Sequence, residues 1–101
     1  MANAPVSVEA DTLLFEKGIH VVPDILANAG GVIVSYFEWV QNTTGETWSE
    51  TDVAERLHQT ITTAYAQVIK ESETTHCSLR DAAYLYAARR ILSAERARGR
   101  I

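Results

Sequence analysis

The sequence predicts a mainly α-helical protein with three long helices, a shorter first helix and one short β-strand. Apolar residues recur at helical spacing in three segments, which begin near Gly30, Ser49 and Ser78. Polar turns separate these segments, and a β-branched run at 19–22 ends at Pro23, as a short strand would. The chain has 101 residues, so it has room for one small domain that buries a limited part of its surface.

The elements before Pro23 form an incomplete unit. Residues 1–7 read as a loop, and Ser7 is placed to cap a short helix that Gly18 ends in a left-handed conformation. The predicted strand at 19–22 follows directly. Because a lone strand has no partner for its backbone hydrogen bonds, the sequence indicates that pairing elements are missing on its N-terminal side.

The central stretch, 23–42, contains an Asn-Ala-Gly-Gly turn that leads into an apolar helix. At 100° per residue, this helix places Val32, Ser35 and Trp39 on one narrow stripe with Asn28 at its foot. Burying an amide and a hydroxyl costs free energy unless another group bonds to them. We therefore expect the stripe to meet either another element of the chain or a ligand.

The same helix is apolar over most of its circumference, and a small chain has few other elements to cover it. The predicted strand would also keep unpaired edges. We therefore expect a homo-oligomer, with the strand or the central helix at the contact. The apolar residues of the helix are Val32, Ile33, Tyr36, Phe37, Trp39 and Val40.

Serine caps mark the starts of the two remaining helices. Ser49 and Asp52 have the spacing of a capping box, and Trp48 stands before them where a hydrophobic staple begins. Ser78 and Asp81 repeat the spacing at the start of the last helix. These patterns predict two long helices that begin at residues with a known capping geometry.

The composition narrows the function classes. The formal net charge is −4, which argues against a dedicated nucleic-acid or membrane-surface binder. Cys77 is the only cysteine, so no internal disulfide can form and a reducing compartment is expected. Neither a membrane span nor a signal peptide is expected, and we predict a cytoplasmic protein. The histidines have no metal-ligand spacing among them or with Cys77, so no metal site is predicted.

Two polar residues of the central stretch have alternative interpretations. The Ser35 hydroxyl either donates back to the carbonyl one turn earlier or bonds a ligand. Asn28 either caps the helix or offers its amide to a ligand.

The stretch 23–42 reads PDILANAGGVIVSYFEWVQN and closely resembles the glutamate dehydrogenase signature PDxLANAGGVxVSYFEWxQN. The likeness extends along nearly the whole chain, through ANAP at 2–5, EAD at 9–11, Trp48, LRDAAY at 79–84 and the closing Arg98-Gly99. The resemblance implies the C-terminal portion of an NAD(P)-dependent enzyme of the Glu/Leu/Phe/Val dehydrogenase family. Residues 1–101 would then be the C-terminal part of its Rossmann-type α/β dinucleotide-binding domain, incomplete on the N-terminal side.

The resemblance also implies roles for four residues. The serine matching Ser35 bonds the side-chain carboxylate of glutamate, and the residue matching Val32 lines the same pocket. The asparagine matching Asn28 lies between substrate and nicotinamide, and Asn3 matches a second asparagine beside the cofactor. The intact enzyme would reversibly deaminate L-glutamate to 2-oxoglutarate and ammonia with NAD or NADP.

Parts that this chemistry needs are missing from the chain. It contains no glycine-rich G-x-G-x-x-G turn for the dinucleotide, and neither Lys17 nor Lys70 lies in a motif that matches the family's catalytic lysines. We therefore predict no catalytic residue, no cofactor and no turnover for the isolated chain. The alternative hypothesis is a non-catalytic helical remnant that acts as a self-associating interaction module.

Overall fold

The computed structural model describes residues 1–100, which form five α-helices in a body of 49 × 35 × 21 Å. The helices are α1 Val8–Glu16, α2 Asp24–Ala27, α3 Ala29–Thr44, α4 Glu50–Thr75 and α5 Leu79–Ala97. Helix α5 packs mainly against α4, and α3 also packs on α4. The 26-residue helix α4 is therefore the scaffold that connects the other long helices.

The predicted strand at 19–22 is absent, and residues 1–100 contain no strand. The predicted fold class is therefore wrong: the described chain is all-α, and nothing in it is a piece of a Rossmann-type α/β sheet. A β-branched run becomes a strand only when a neighbouring strand accepts its backbone hydrogen bonds, and residues 1–100 contain no such neighbour. Instead the Ile19 N–H donates to the Leu14 carbonyl at 2.9 Å and helps to end α1.

The predicted helix ends are confirmed. The Ser7 hydroxyl accepts from the Ala10 N–H at 3.1 Å, and Gly18 takes a left-handed φ of 70° just after α1. At α4, Ser49 and Asp52 form the reciprocal capping box. Capping of this kind satisfies backbone N–H groups that no helical carbonyl can reach. At α5, Ser78 accepts from the Asp81 N–H at 3.2 Å.

The junction of α4 and α5 forms the core. Its buried residues are small or β-branched, together with one leucine: Val68, Leu79, Ala82 and Ala83. Because alanine side chains are short, the two helix backbones approach closely at this point. The N-terminal end of α5 is therefore part of the core.

Trp48 joins α3 to α4. Its ring lies 5.6 Å from the ring of Phe37, and the Arg56 guanidinium lies 3.9 Å above it. Its backbone N–H donates to the Gln41 side chain at 2.7 Å. Aromatic and cation–π contacts of this kind stabilise a junction beyond the area that they bury. One face of α3 is thereby fixed, and its other face is left toward solvent.

Candidate functional site

Asn28 directly precedes α3 and is half-buried. Its side-chain Nδ2 donates to the Ala2 carbonyl at 3.0 Å and to Asn3 Oδ1 at 3.1 Å. Asn28 is the N-cap residue of α3, but its side chain makes no capping hydrogen bond to the helix. The structure thus joins the two asparagines that the resemblance singled out, although they are 25 residues apart.

The other amide atom of Asn28 is left without a partner. Its Oδ1 is buried and accepts no hydrogen bond within residues 1–100. A buried acceptor without a donor costs about 1–3 kcal/mol, so most buried polar atoms in folded proteins have a partner. The Asn28 amide therefore has one acceptor atom without a partner, Oδ1, and one donor atom, Nδ2, whose two hydrogen bonds hold it in place.

A shallow cavity of about 150 Å³ lies beside Asn28. Its walls come from the N-terminal segment on both sides of Asn3, from Asp24 and Asn28, and from Arg80 on α5. Asp24 accepts from the Ala4 N–H at 2.7 Å, and Arg80 donates to the Val6 carbonyl at 3.0 Å.

The Ala4 hydrogen bond holds the pKa of Asp24 below its usual value, and the charge of Arg80 adds to the effect. The lining of the cavity therefore includes a carboxylate with a lowered pKa and a guanidinium. Sequence reasoning missed both residues. Asp24 follows Pro23 in the recognised stretch and Arg80 belongs to LRDAAY, yet neither position by itself indicates which backbone it bonds.

Ser35 and Val32 lie elsewhere. The Ser35 hydroxyl donates to the Gly31 carbonyl at 2.8 Å. This is the first of the two alternatives for Ser35, a hydrogen bond to the carbonyl one turn earlier in the helix. The residue is exposed. Val32 is 74% exposed. Neither residue lines the cavity beside Asn28. They form an outward stripe of α3, and Trp39 continues it at 60% exposure.

The two glycines at the start of α3 differ in surroundings. A Cβ at Gly30 would lie 3.8 Å from Ile61 Cδ1 of α4, whereas a Cβ at Gly31 would meet nothing within 4 Å. Gly31 thus belongs to the open side of α3, where the outward stripe begins. Residues 1–100 hold no group of three His, Cys, Asp or Glu side chains suited to a metal ion. None of the helices in this range combines the length and apolar content that crossing a membrane requires.

Residues 1–99 match the Glutamate/Leucine/Phenylalanine/Valine dehydrogenase family. The chain belongs to this family, and the resemblance predicted from residues 23–42 is confirmed.

Its relatives narrow the likeness to glutamate dehydrogenases. Over 98 residues the chain is 45% identical to the catabolic NAD-specific glutamate dehydrogenase of Bacillus subtilis (strain 168), covering 97% of this chain and 23% of the relative. It is 46% identical to the NAD-specific glutamate dehydrogenase of Staphylococcus aureus (strain COL), again over 97% of this chain and 24% of the relative.

Two solved structures agree. Glutamate dehydrogenase from Peptoniphilus asaccharolyticus matches with a TM-score of 0.90 and 43% identity, over 97% of this chain and 25% of that one. The hetero-hexameric glutamate dehydrogenase from Thermus thermophilus, in its Leu-bound form, matches with a TM-score of 0.87 and 36% identity, over 97% and 24%. The chain thus spans about a quarter of the length of its relatives, which fits the prediction of a glutamate dehydrogenase fragment.

Proposed function

We propose that this chain supplies part of the substrate and cofactor wall of a glutamate dehydrogenase, which reversibly deaminates L-glutamate to 2-oxoglutarate and ammonia. The names of its relatives in Bacillus subtilis and Staphylococcus aureus favour NAD over NADP as the cofactor. A cytoplasmic location accompanies this proposal and rests on the single cysteine.

The observation that carries the proposal is the free acceptor of Asn28. Its Nδ2 is engaged by Ala2 and Asn3, so the amide cannot turn without losing two hydrogen bonds. The buried Oδ1 then suits a ligand that brings an N–H donor. The carboxamide of a nicotinamide carries such donors, and so does the amino group of an amino acid. When bound, the nicotinamide would accept or return the hydride.

Ser35 and Val32 would form the substrate side. A hydroxyl has one hydrogen, so Ser35 must turn away from the Gly31 carbonyl in order to donate to a glutamate carboxylate. The exchange is favourable because a bond to an ionised acceptor is about twice as strong as one to a neutral carbonyl. Val32 would contact the aliphatic part of the substrate with its exposed side chain.

The remaining machinery would come from the parts of a dehydrogenase that this chain does not span. Hydride transfer requires substrate and cofactor to be positioned together. The outward face of α3 and the Asn28 oxygen are too few contacts to position either of them. We therefore retain the prediction that the isolated chain neither turns over glutamate nor binds NAD(P) measurably. Its residues would bind and orient, and the proton-transfer groups would be supplied by the rest of the enzyme.

A chimera tests the proposal. Residues 1–99 of this chain replace the matching segment of the Bacillus subtilis enzyme, and glutamate-dependent NAD reduction is measured. Removing the Asn28 amide with Asn28→Ala should raise the KM for NAD about tenfold or more, since one oriented polar contact is lost. The matched control is Asn42→Ala, an exposed asparagine at the other end of α3. Equal KM values for the two variants would contradict the role of Asn28.

A self-associating module is the second candidate function. The outward stripe of α3 favours it, because Val32, Tyr36 and Trp39 stay exposed and the Tyr36 and Trp39 rings stack at 6.0 Å. Since the predicted strand is absent, only the α3 part of the predicted contact survives. Sedimentation of the chain at about tens of micromolar, where weak interfaces become populated, distinguishes a monomer from an oligomer.

A further inference from the structure

Asn3 lies in a segment, 1–6, that belongs to no helix and is mostly exposed. Ordering such a segment costs conformational entropy, so something must hold it. Three of its backbone groups are bonded by side chains from distant parts of the chain. They are the Ala2 carbonyl to Asn28 (3.0 Å), the Ala4 N–H to Asp24 (2.7 Å) and the Val6 carbonyl to Arg80 (3.0 Å).

The Asp24 contact fixes a strained residue. Ala4 has a φ of 49°, in the left-handed region that residues with a Cβ rarely adopt. A strained backbone of this kind persists only where its surroundings determine it. The N–H of Ala4 itself is the group that Asp24 Oδ2 binds, through a short bond to an ionised acceptor. Asp24 therefore sets the turn that immediately follows Asn3.

Arg80 ties the same segment to the rigid part of the molecule. It is the second residue of α5, and its neighbours Leu79 and Ala82 are buried in the core at 7% and 0% exposure. Its guanidinium reaches the Val6 carbonyl, 74 positions away in sequence. The end of the segment is thereby fixed relative to the core and not only to its neighbours.

We propose that Asp24 and Arg80 are positioning residues that clamp segment 1–6, so that Asn3 stays bonded to Asn28 and the free oxygen of Asn28 faces its ligand. The inference rests on the proposed cofactor role of Asn28. Without the clamp, Asn3 moves away and the Asn28 amide is free to turn. The amide then offers N–H donors where the site needs an acceptor, although Asn28 itself is unchanged.

The first test uses the chain by itself and nuclear Overhauser contacts between the Asn28 side-chain amide protons and Asn3. Asp24→Ala and Arg80→Gln should each weaken these contacts, and the double variant should abolish them. The controls are Glu55→Ala and Arg96→Gln, exposed charges on α4 and α5, which should leave the contacts at wild-type intensity. Circular dichroism verifies that helix content is equal in all variants. Wild-type contacts in the double variant would overturn the clamp.

The second test measures cofactor and substrate separately in the chimera. Asp24→Ala should raise the KM for NAD about tenfold and change the KM for glutamate as Asn28→Ala does, because both variants disturb the Asn28 site. Asp24→Asn keeps an oxygen that accepts from Ala4 and should restore most of the affinity. An unchanged KM for NAD in Asp24→Ala, where Asn28→Ala raises it, overturns the positioning role. If Asn28→Ala also leaves the KM unchanged while the Asn28–Asn3 contacts are lost, the clamp is supported and the proposed cofactor role fails.

Discussion

The core at the α4–α5 junction and the outward face of α3 differ from the usual pattern, in which large apolar side chains are buried and small ones are not. The core consists of two alanines, one valine and one leucine, with Ala82 at 0% and Val68 at 3% exposure. The outward face carries larger apolar side chains, yet Val32 is 74% and Trp39 60% exposed. In these two regions, burial therefore does not follow the size of the apolar side chain. The apolar side chains of the α3 face are available for something other than the chain's own folding.

The largest expected effect comes from making the same change in both regions. Val68→Ala should lower the free energy of unfolding by about 2–3 kcal/mol, because it removes buried methyl groups and leaves a cavity. Val32→Ala removes the same atoms from an exposed position and should change it by less than about 0.5 kcal/mol. Urea unfolding followed by circular dichroism measures both. Similar losses in the two variants would mean that Val32 is covered by its own chain.

The next effect concerns association through the α3 face. Tyr36→Ser should weaken self-association about 30-fold, which corresponds to about 2 kcal/mol for a central aromatic residue. Tyr84→Ser is the matched control, because Tyr84 on α5 is 54% exposed and Tyr36 is 58% exposed. Sedimentation velocity over a concentration series gives the dissociation constants. A compact monomer in the wild-type chain would contradict the prediction.

The smallest expected effect is a pH dependence at the N-terminal clamp. The pKa of Asp24 is lowered in the folded chain, chiefly by the Ala4 N–H. Its contribution to stability is therefore present above the unfolded value of about 4 and is lost as the pH falls through the lower folded value. The charged groups that line the same cavity as Asp24 are Arg80 and Asp11.

The matched variant for this pH dependence is Asp24→Asn, which does not titrate. The difference in unfolding free energy between wild type and Asp24→Asn should shrink between about pH 5 and pH 2. Other carboxylates contribute equally to both proteins and cancel. A constant difference over this range would show that the Asp24 charge does not stabilise the fold.

Local sequence signals predicted the helix ends well, but they could not predict contacts between residues far apart in the sequence. Gly18, Ser49 and Ser78 act on backbone groups within a few residues, so their geometry follows from spacing alone. The strand at 19–22 was predicted wrongly because β-branched residues favour extended backbone, while a strand also needs a neighbour. The assignment of residues 1–101 to one domain of a longer enzyme stays a prediction.

The candidate site was predictable only in part. The resemblance singled out Asn28 and Asn3, which are hydrogen-bonded in the structure, and their roles stay predictions. It also singled out Ser35 and Val32, which the structure leaves on an open face, so their roles stay predictions. The Asp24 and Arg80 contacts were not predictable, because each bonds backbone 20 or 74 residues away.

Ser35→Ala in the chimera tests most directly whether the outward face of α3 forms a wall of the substrate site. With glutamate, kcat/KM should fall about 10- to 100-fold, because the side-chain carboxylate loses one charge-assisted bond of about 1.5–3 kcal/mol. With norvaline, which lacks that carboxylate, kcat/KM should stay within about twofold, as it should for both substrates in the control Ser93→Ala. A wild-type kcat/KM for glutamate in Ser35→Ala would contradict the account and leave Ser35 as a helix residue bonded to Gly31.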